Sequence, residues 1–224
     1  MNKFLLPILA VILGVIIAVI SKGKKSWNTK LLLSFSGAFL LALTLFELLP
    51  EVYSHLDTKR TGLFIMCGIL LQIVLELFSK GAEHGHVHIH KSETAFPWLL
   101  FLSLCIHSFL EGFPIHEHND MVFGVLIHKI PIAALISMFL FQSSFSKLKI
   151  GLFLVVFAAM TPLGTLISNT ANLSIDLAHS INAIVIGIFF HISTTILFES
   201  SDGHKFNLSK FIAIILGVGI AYFI

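Results

Sequence analysis

Three side chains with lone pairs suited to metal ions sit in stretches otherwise built from apolar residues. His107 and Glu111 stand in "FPWLLFLSLCIHSFLEGFPI", and His128 follows in "FGVLIHKIPIAALISMF". On a helix the i,i+4 pair shares one face, about 6 Å apart along the axis. Between the two stretches lies the polar turn "HEHND". Counted from its middle, between His118 and Asn119, Glu111 is 7.5 residues back, His107 11.5 back and His128 9.5 forward. In a simple antiparallel hairpin His128 therefore falls at a depth between Glu111 and His107. Two imidazoles and a carboxylate suit Zn²⁺, Fe²⁺, Mn²⁺, Co²⁺ or Cd²⁺, whereas Cu(I) prefers sulfur. Three protein ligands leave a coordination position open, as an exchangeable site requires. The competing reading is a buried hydrogen-bond network. Three ligand-type residues at one depth favour metal.

These residues need elements that hold them away from water, and the composition supplies them. Of 224 residues, 56% are hydrophobic and 12% charged, and the mean hydropathy is +0.96. That is the composition of an all-α polytopic membrane protein. The formal net charge of +2 gives no electrostatic footprint for nucleic acid. Apolar runs near the roughly 20 residues needed to cross a bilayer predict eight helices, at 4–21, 30–52, 61–79, 96–116, 121–141, 150–169, 177–199 and 207–224. They form one transmembrane domain over 1–224, with a short His-rich loop at 80–95. The opening run resembles a signal peptide, but it is long enough to span, no A-x-A site follows it and lysines come next, so it reads as the first helix.

Basic residues set the expected orientation. Ten of the 14 lie after helices one, three, five and seven: Lys22, Lys24, Lys25, Lys30, Lys80, Lys91, Lys147, Lys149, Lys205 and Lys210. The other side holds Lys3, Lys59 and Arg60, and Lys129 is within the membrane. Both termini are therefore expected outside and the His-rich loop in the cytoplasm. That loop carries His84, His86, His88 and His90 at alternate positions, a spacing that puts imidazoles on one side of an extended chain as a weak metal buffer. His116, Glu117 and His118, at the outer mouth of the hairpin, are candidates for concentrating metal before entry.

Ionisable residues inside a bilayer are costly and mark functional sites by default. Beyond the three ligands, these are Glu47 in helix two, Glu76 in helix three, Lys129 in helix five, and His191 and Glu199 in helix seven. Glu76 and Glu199 lie near cytoplasmic ends, and Glu47 is one turn before the outer boundary. Pro114, Pro131 and Pro162 each remove a helix hydrogen bond. Cys67 and Cys105 lie in apolar runs and read as small buried hydrophobes.

At these residues the chain resembles the ZIP (Zrt/Irt-like) family of divalent-metal transporters. "HSFLEG" matches the HSxxEG motif of helix four at His107, Ser108, Glu111 and Gly112; "HKIP" matches helix five at His128, Lys129 and Pro131. "FELLPE" supplies Glu47, Pro50 and Glu51 at the end of helix two, and "PLG" lies at 162–164. The resemblance implies an inverted-repeat helical bundle with a metal near the midplane. It implies passage toward the cytoplasm by sliding or rocking of one helical block against another. On it, His107, Glu111 and His128 are primary ligands, Ser108 sits beside them, and Glu47 lines the outer access route. His191 and Glu199, with Thr194 and Thr195, would assist as an inner relay.

This chain departs from the family's two-metal pattern. Lys129 stands where many members carry a second acid, Ile132 where a further helix-five ligand occurs, and Ile196 where helix seven often has an acid. A single metal is expected, with the Lys129 ammonium in the place of the second. The divalent ion is then a transported substrate and not a cofactor, and the partners are metal ions and the lipid bilayer. A homodimer is compatible with the sequence. Two other function classes compete: an intramembrane zinc-dependent hydrolase, and a membrane protein that binds metal without transporting it. The hydrolase has no HExxH motif, and its open metal position would need a general base that Glu111, already a ligand, cannot supply.

Overall fold

Long apolar runs leave the backbone only one way to satisfy its own hydrogen bonds in lipid, and that is a helix. A computed structural model of the chain describes residues 2–21, 29–79, 81, 96–115, 120–199 and 208–224. Those residues form α1 (Asn2–Ile20), α2 (Thr29–Leu43), a π-helical turn (Thr44–Leu48), α3 (Leu49–His55) and α4 (Thr58–Ser79). After them come α5 (Trp98–Leu110), α6 (Met121–Gln142), α7 (Lys147–Thr170), α8 (Ile175–Glu199) and α9 (Leu208–Tyr222). Among the described residues six spans are long and apolar enough to cross a membrane, with α2, the π turn and α3 counting as one; α5 and α9 are shorter apolar helices. The chain is an all-α, multi-pass integral membrane protein.

The helices pair in two sets. In one, α1 packs on α6 and α7, and α5 packs on α7. In the other, α4 packs on α8, and α2 packs on α8 and α9. The sets meet where α2 lies on α6 and α4 on α5. Each has its own apolar core. Val11, Leu104, Ile136, Phe153 and Phe157 belong to the first. Phe39, Leu43, Ile186 and Phe189 belong to the second, which also takes in Met121, Val122 and Val125 from α6.

Backbone-to-backbone contact through glycine closes both sets internally. A Cβ on Gly187 of α8 would collide with the Ile65 carbonyl of α4, and one on Gly68 with the Ile184 carbonyl. Gly112 and Gly164 face one another in the same way between α5 and α7. Such small-residue contacts are how membrane helices associate when lipid is as apolar as the helix surface. The seam between the sets differs. There Gly124 of α6 meets side-chain methyls of Leu40 and Leu43, not backbone.

The outer perimeter is apolar at helical spacing: Leu5, Leu9, Ile12 and Ile16 on α1, Leu63, Met66 and Leu70 on α4, Leu148, Leu152 and Val155 on α7, all exposed. In water this would be a large adhesive surface; in a bilayer it is the lipid-facing wall. Cys67 shares that exposed side of α4 and is not a buried hydrophobe as its apolar surroundings suggested; Cys105 is buried.

Two details differ from the expected spans. Helix two contains a π turn, in which the Leu49 amide donates to the Thr44 carbonyl. Pro50 follows at once, and its ring would crowd the carbonyl four residues back in a regular helix; the widened turn relieves that contact. Helix four stops at Leu110 instead of running to 116. Gly112 and Pro114 account for this, since Pro disfavours helical geometry in the residue before it.

The glycine contacts are testable by paired substitution. Gly187→Val should lower stability by about 1–3 kcal/mol or more, the usual range for overpacking, whereas Gly151→Ala, which meets nothing within 4 Å, should be neutral. Thermal unfolding of both variants in detergent measures the difference.

Candidate metal centre

His107 lies in the last turn of α5, Glu111 caps that helix, and His128 faces them from α6. All three are buried, with exposures of 1%, 1% and 0%. One ligand atom from each lies within 4.8 Å of the others. His107 Nε2 is 3.4 Å from Glu111 Oε2, and the two imidazole rings stand edge to face at 77°, with centroids 6.2 Å apart. Metal–ligand bonds of about 2.0–2.2 Å in a tetrahedral shell separate ligand atoms by roughly 3.5 Å. The observed spread therefore needs only a small side-chain adjustment to close on one ion. Among the described residues no other group of three His, Cys, Asp or Glu side chains comes together this way.

The two carboxylate oxygens of Glu111 are divided between different partners. Oε2 faces His107. Oε1 is ion-paired with Lys129 Nζ and lies 2.7 Å from Thr161 Oγ1. Lys129 is 2% exposed and also donates to Ser108 Oγ at 2.5 Å and Thr161 Oγ1 at 2.7 Å. An ammonium has three N–H donors, and these three oxygens engage all of them. The Phe157 ring, with its centroid 4.6 Å from Nζ, covers the remaining side by a cation–π contact.

Helix α5 has 13 residues, about 20 Å at 1.5 Å per residue, which is short of the roughly 30 Å hydrocarbon core. The chain continues inward of the surface as the irregular stretch 111–115, and every residue of it is buried. Non-helical backbone at such depth requires protein partners for its carbonyls. A hydroxyl stripe on α7 at i, i+4 and i+7 supplies them. Thr161 Oγ1 lies 2.8 Å from the Ser108 carbonyl, Thr165 Oγ1 donates to the Gly112 carbonyl at 2.8 Å, and Ser168 Oγ to the Phe113 carbonyl at 3.2 Å.

The remaining sequence candidates are dispersed. Ser108 belongs to the ammonium cage, not to the ligand set. Glu47 is exposed on the π turn and does not join the cluster. His191 lies in the other helix set, with Nε2 2.5 Å from Glu76 Oε2 of α4. Thr194 and Thr195 donate to carbonyls of their own helix. The backbone of Glu199 ends α8, and its side chain lies outside the described residues. His84, His86, His88, His90, His116, Glu117 and His118 also lie outside them. Sequence reading missed Thr161, Thr165 and Ser168, although their spacing was a visible polar stripe in an apolar helix. It also missed the pairing of Glu76 with His191, which only the packing of α4 on α8 reveals.

Thr161 both steadies Glu111 and accepts from Lys129, so it positions the site without being a ligand. Thr161→Val should weaken zinc binding by roughly 10–100-fold, the range seen for outer partners of metal ligands, while Thr161→Ser should retain most of it. Equilibrium zinc binding to the purified variants measures both.

Comparison with known proteins places these features in context. A family profile described as ZIP zinc transporter matches residues 79–224, which include α5 to α9 and all three clustered residues. Zinc transporter ZIP1 of Danio rerio is 28% identical over 182 residues, covering 58% of this chain and 60% of that protein. Protein zntD of Dictyostelium discoideum is 29% identical over 106 residues, covering 39% of this chain and 16% of its own length. The chain thus spans about three fifths of the first relative and about a sixth of the second.

Proposed function

The chain belongs to the ZIP zinc transporter family, and from that premise we propose that it carries divalent metal cations, Zn²⁺ foremost, across the membrane into the cytoplasm through a single-ion site. The observation that carries this reading is the division of Glu111: one oxygen is committed to Lys129 and Thr161, the other faces His107. A cation arriving at the cluster would exchange part of its water shell for the imidazole nitrogens of His107 and His128 and for Glu111 Oε2. A fourth position remains for water, which leaves a route for departure. Lys129 opposes a second divalent ion in two ways. It fills the oxygen cage such an ion would need, and its own charge repels a dication a few ångströms away in a medium of low dielectric.

The name of the Danio rerio relative, a zinc transporter, supports zinc over the other ions that accept nitrogen and oxygen ligands. Fe²⁺, Mn²⁺, Co²⁺ and Cd²⁺ are the competing substrates to rank. The lysine bias supports both termini outside and the loop at 80–95 in the cytoplasm, where its histidines would buffer the arriving metal. Movement of the α1, α5, α6, α7 set against the other set, along the α2–α6 seam, is the step that would change which side the ion faces. Membership in a transporter family speaks against the hydrolase reading.

Uptake of radiolabelled zinc into liposomes tests the reading. His107→Ala and His128→Ala should each reduce uptake by at least about tenfold, the lower bound for disturbing a metal ligand's surroundings, and equal uptake in all three proteins would overturn the site. Zinc stoichiometry tests the single-ion claim. His107→Ala should remove one bound equivalent per chain, and the loss of two would show that Lys129 does not exclude the second ion.

A further inference from the structure

We propose that His55 and His179 form a separate, weaker docking point for a nitrogen-seeking divalent cation, at the bundle end that the lysine bias places outside. The inference rests on the transport reading and names the residues that would first hold the incoming ion. His55 ends α3 and His179 lies in the second turn of α8. Their imidazole rings stack with centroids 4.1 Å apart and planes at 15°.

The hydrogen bonds fix how His55 presents itself. Its Nδ1 is 3.0 Å from the Glu51 carbonyl and 2.9 Å from Ser54 Oγ. A carbonyl only accepts, so Nδ1 carries the hydrogen, and in the neutral ring Nε2 keeps its lone pair. An imidazole tethered through one nitrogen to a backbone carbonyl, with the other nitrogen basic, is the arrangement typical of metal-binding histidines. The residue as a whole is exposed.

His179 contributes the complementary feature. It is 5% exposed, and its Nδ1 has no hydrogen-bond partner among the described residues. Buried ring nitrogens normally have one. The surroundings hold the pair in place. Arg60 of α4 is ion-paired with Asp176 at 3.1 Å and reaches Ser180 Oγ at 3.4 Å, which fastens the first turns of α8. The Asp57 carboxylate caps the start of α4 by accepting from the amides of Lys59 and Arg60.

Two imidazoles, with water completing the shell, favour Zn²⁺, Co²⁺, Ni²⁺ or Cu²⁺ over Mg²⁺ and Ca²⁺, which take oxygen ligands. The near-parallel stack holds the two rings against one another, with centroids 4.1 Å apart. Binding one ion between them would require the exposed His55 side chain to turn and give up its Nδ1 tether, so that one nitrogen of each ring reaches the ion. The location gives the pair a purpose. Val52, one turn inward of His55, and Ala183, one turn inward of His179, share an apolar cluster with Val122 and Val125 of α6, and His128 is the next turn of α6. The histidines thus cap the apolar seam that lies between this end of the bundle and the buried ligands.

The test uses the full chain in lipid nanodiscs, with Zn²⁺ as probe. His55→Phe and His179→Phe keep a stacked ring and remove the nitrogens, and His55, being exposed, tolerates the change without loss of fold. In a His107→Ala/His128→Ala background, which lacks the buried cluster, either phenylalanine should remove one equivalent of weakly bound zinc, and excess Mg²⁺ should not. In the otherwise wild-type chain, His55→Phe should raise the KM for zinc uptake about three- to tenfold with the maximal rate unchanged, the signature of lost initial binding. Zinc binding unchanged by either phenylalanine, together with an unmoved KM, would overturn the proposal and leave the rings as packing alone. If His107→Ala leaves uptake intact while His55→Phe still removes an equivalent, the transport site is wrong and the docking point stands.

Discussion

A carboxylate and an ammonium lie side by side in the middle of an apolar bundle, and most of the surrounding architecture is arranged to make that tolerable. Removing either charge from water costs several kcal/mol even after relaxation. Glu111 and Lys129 offset this by direct pairing, by two hydroxyls at hydrogen-bond distance and by one aromatic face. Those groups come from α5, α6 and α7, so the pair also ties three helices at one point. The opposite charges of the pair cancel, and His107 and His128 lie beside it. Binding of a dication would leave the pocket with a net positive charge. That tempers affinity, which suits a site whose occupant has to leave again.

The two helix sets are built by different contacts from the seam between them. Within each set, glycines bring backbones together so closely that no side chain fits. Across the α2–α6 seam, a glycine meets the ends of flexible leucine side chains and not backbone. Interlocked backbones resist displacement because every shift produces a collision, while a smooth apolar face has many positions of similar energy. His107, Glu111 and His128 all belong to one set, on α5 and α6, so motion of that set as a unit would carry the cluster with its geometry intact. Lipid meets the apolar outer faces of both sets and offers no specific contact to oppose such motion.

Much of this was legible in the sequence because the bilayer imposes strict rules. Runs of about 20 apolar residues have few alternatives to helix, and each of the eight expected spans contains a helix, the fourth over only part of its length. His107 and Glu111 were readable as a pair because they share a helix face. The expected close hairpin was not found, since α5 packs on α7 and α4, and α6 on α1 and α2; His128 comes near the pair without α5 and α6 packing directly. The early end of α5 was not readable from apolar run length, since Phe113 and Ile115 are as apolar as the helix before them. It depends on how closely Gly112 meets α7, a contact between segments some 50 positions apart. The hydroxyl stripe on α7 escaped for the same reason: Thr161, Thr165 and Ser168 acquire a role only beside carbonyls that a longer α5 would have satisfied itself. Glu47 shows the reverse limit. Its motif drew attention, yet the π turn leaves it on the surface.

The premature end of α5 has an electrostatic consequence. Aligned peptide dipoles leave about half a negative charge at a helix C-terminus, effective over the last turn. Here that terminus is buried in the bundle, with His107 in its final turn and Glu111 at its C-cap. A helix continuing to the surface would have spent this potential in water. By stopping at Leu110, α5 directs it at the cluster, where the dielectric is low and screening ions are absent. The broken helix is therefore itself a cation-attracting element, and it adds no charged side chain beside the buried Lys129 ammonium.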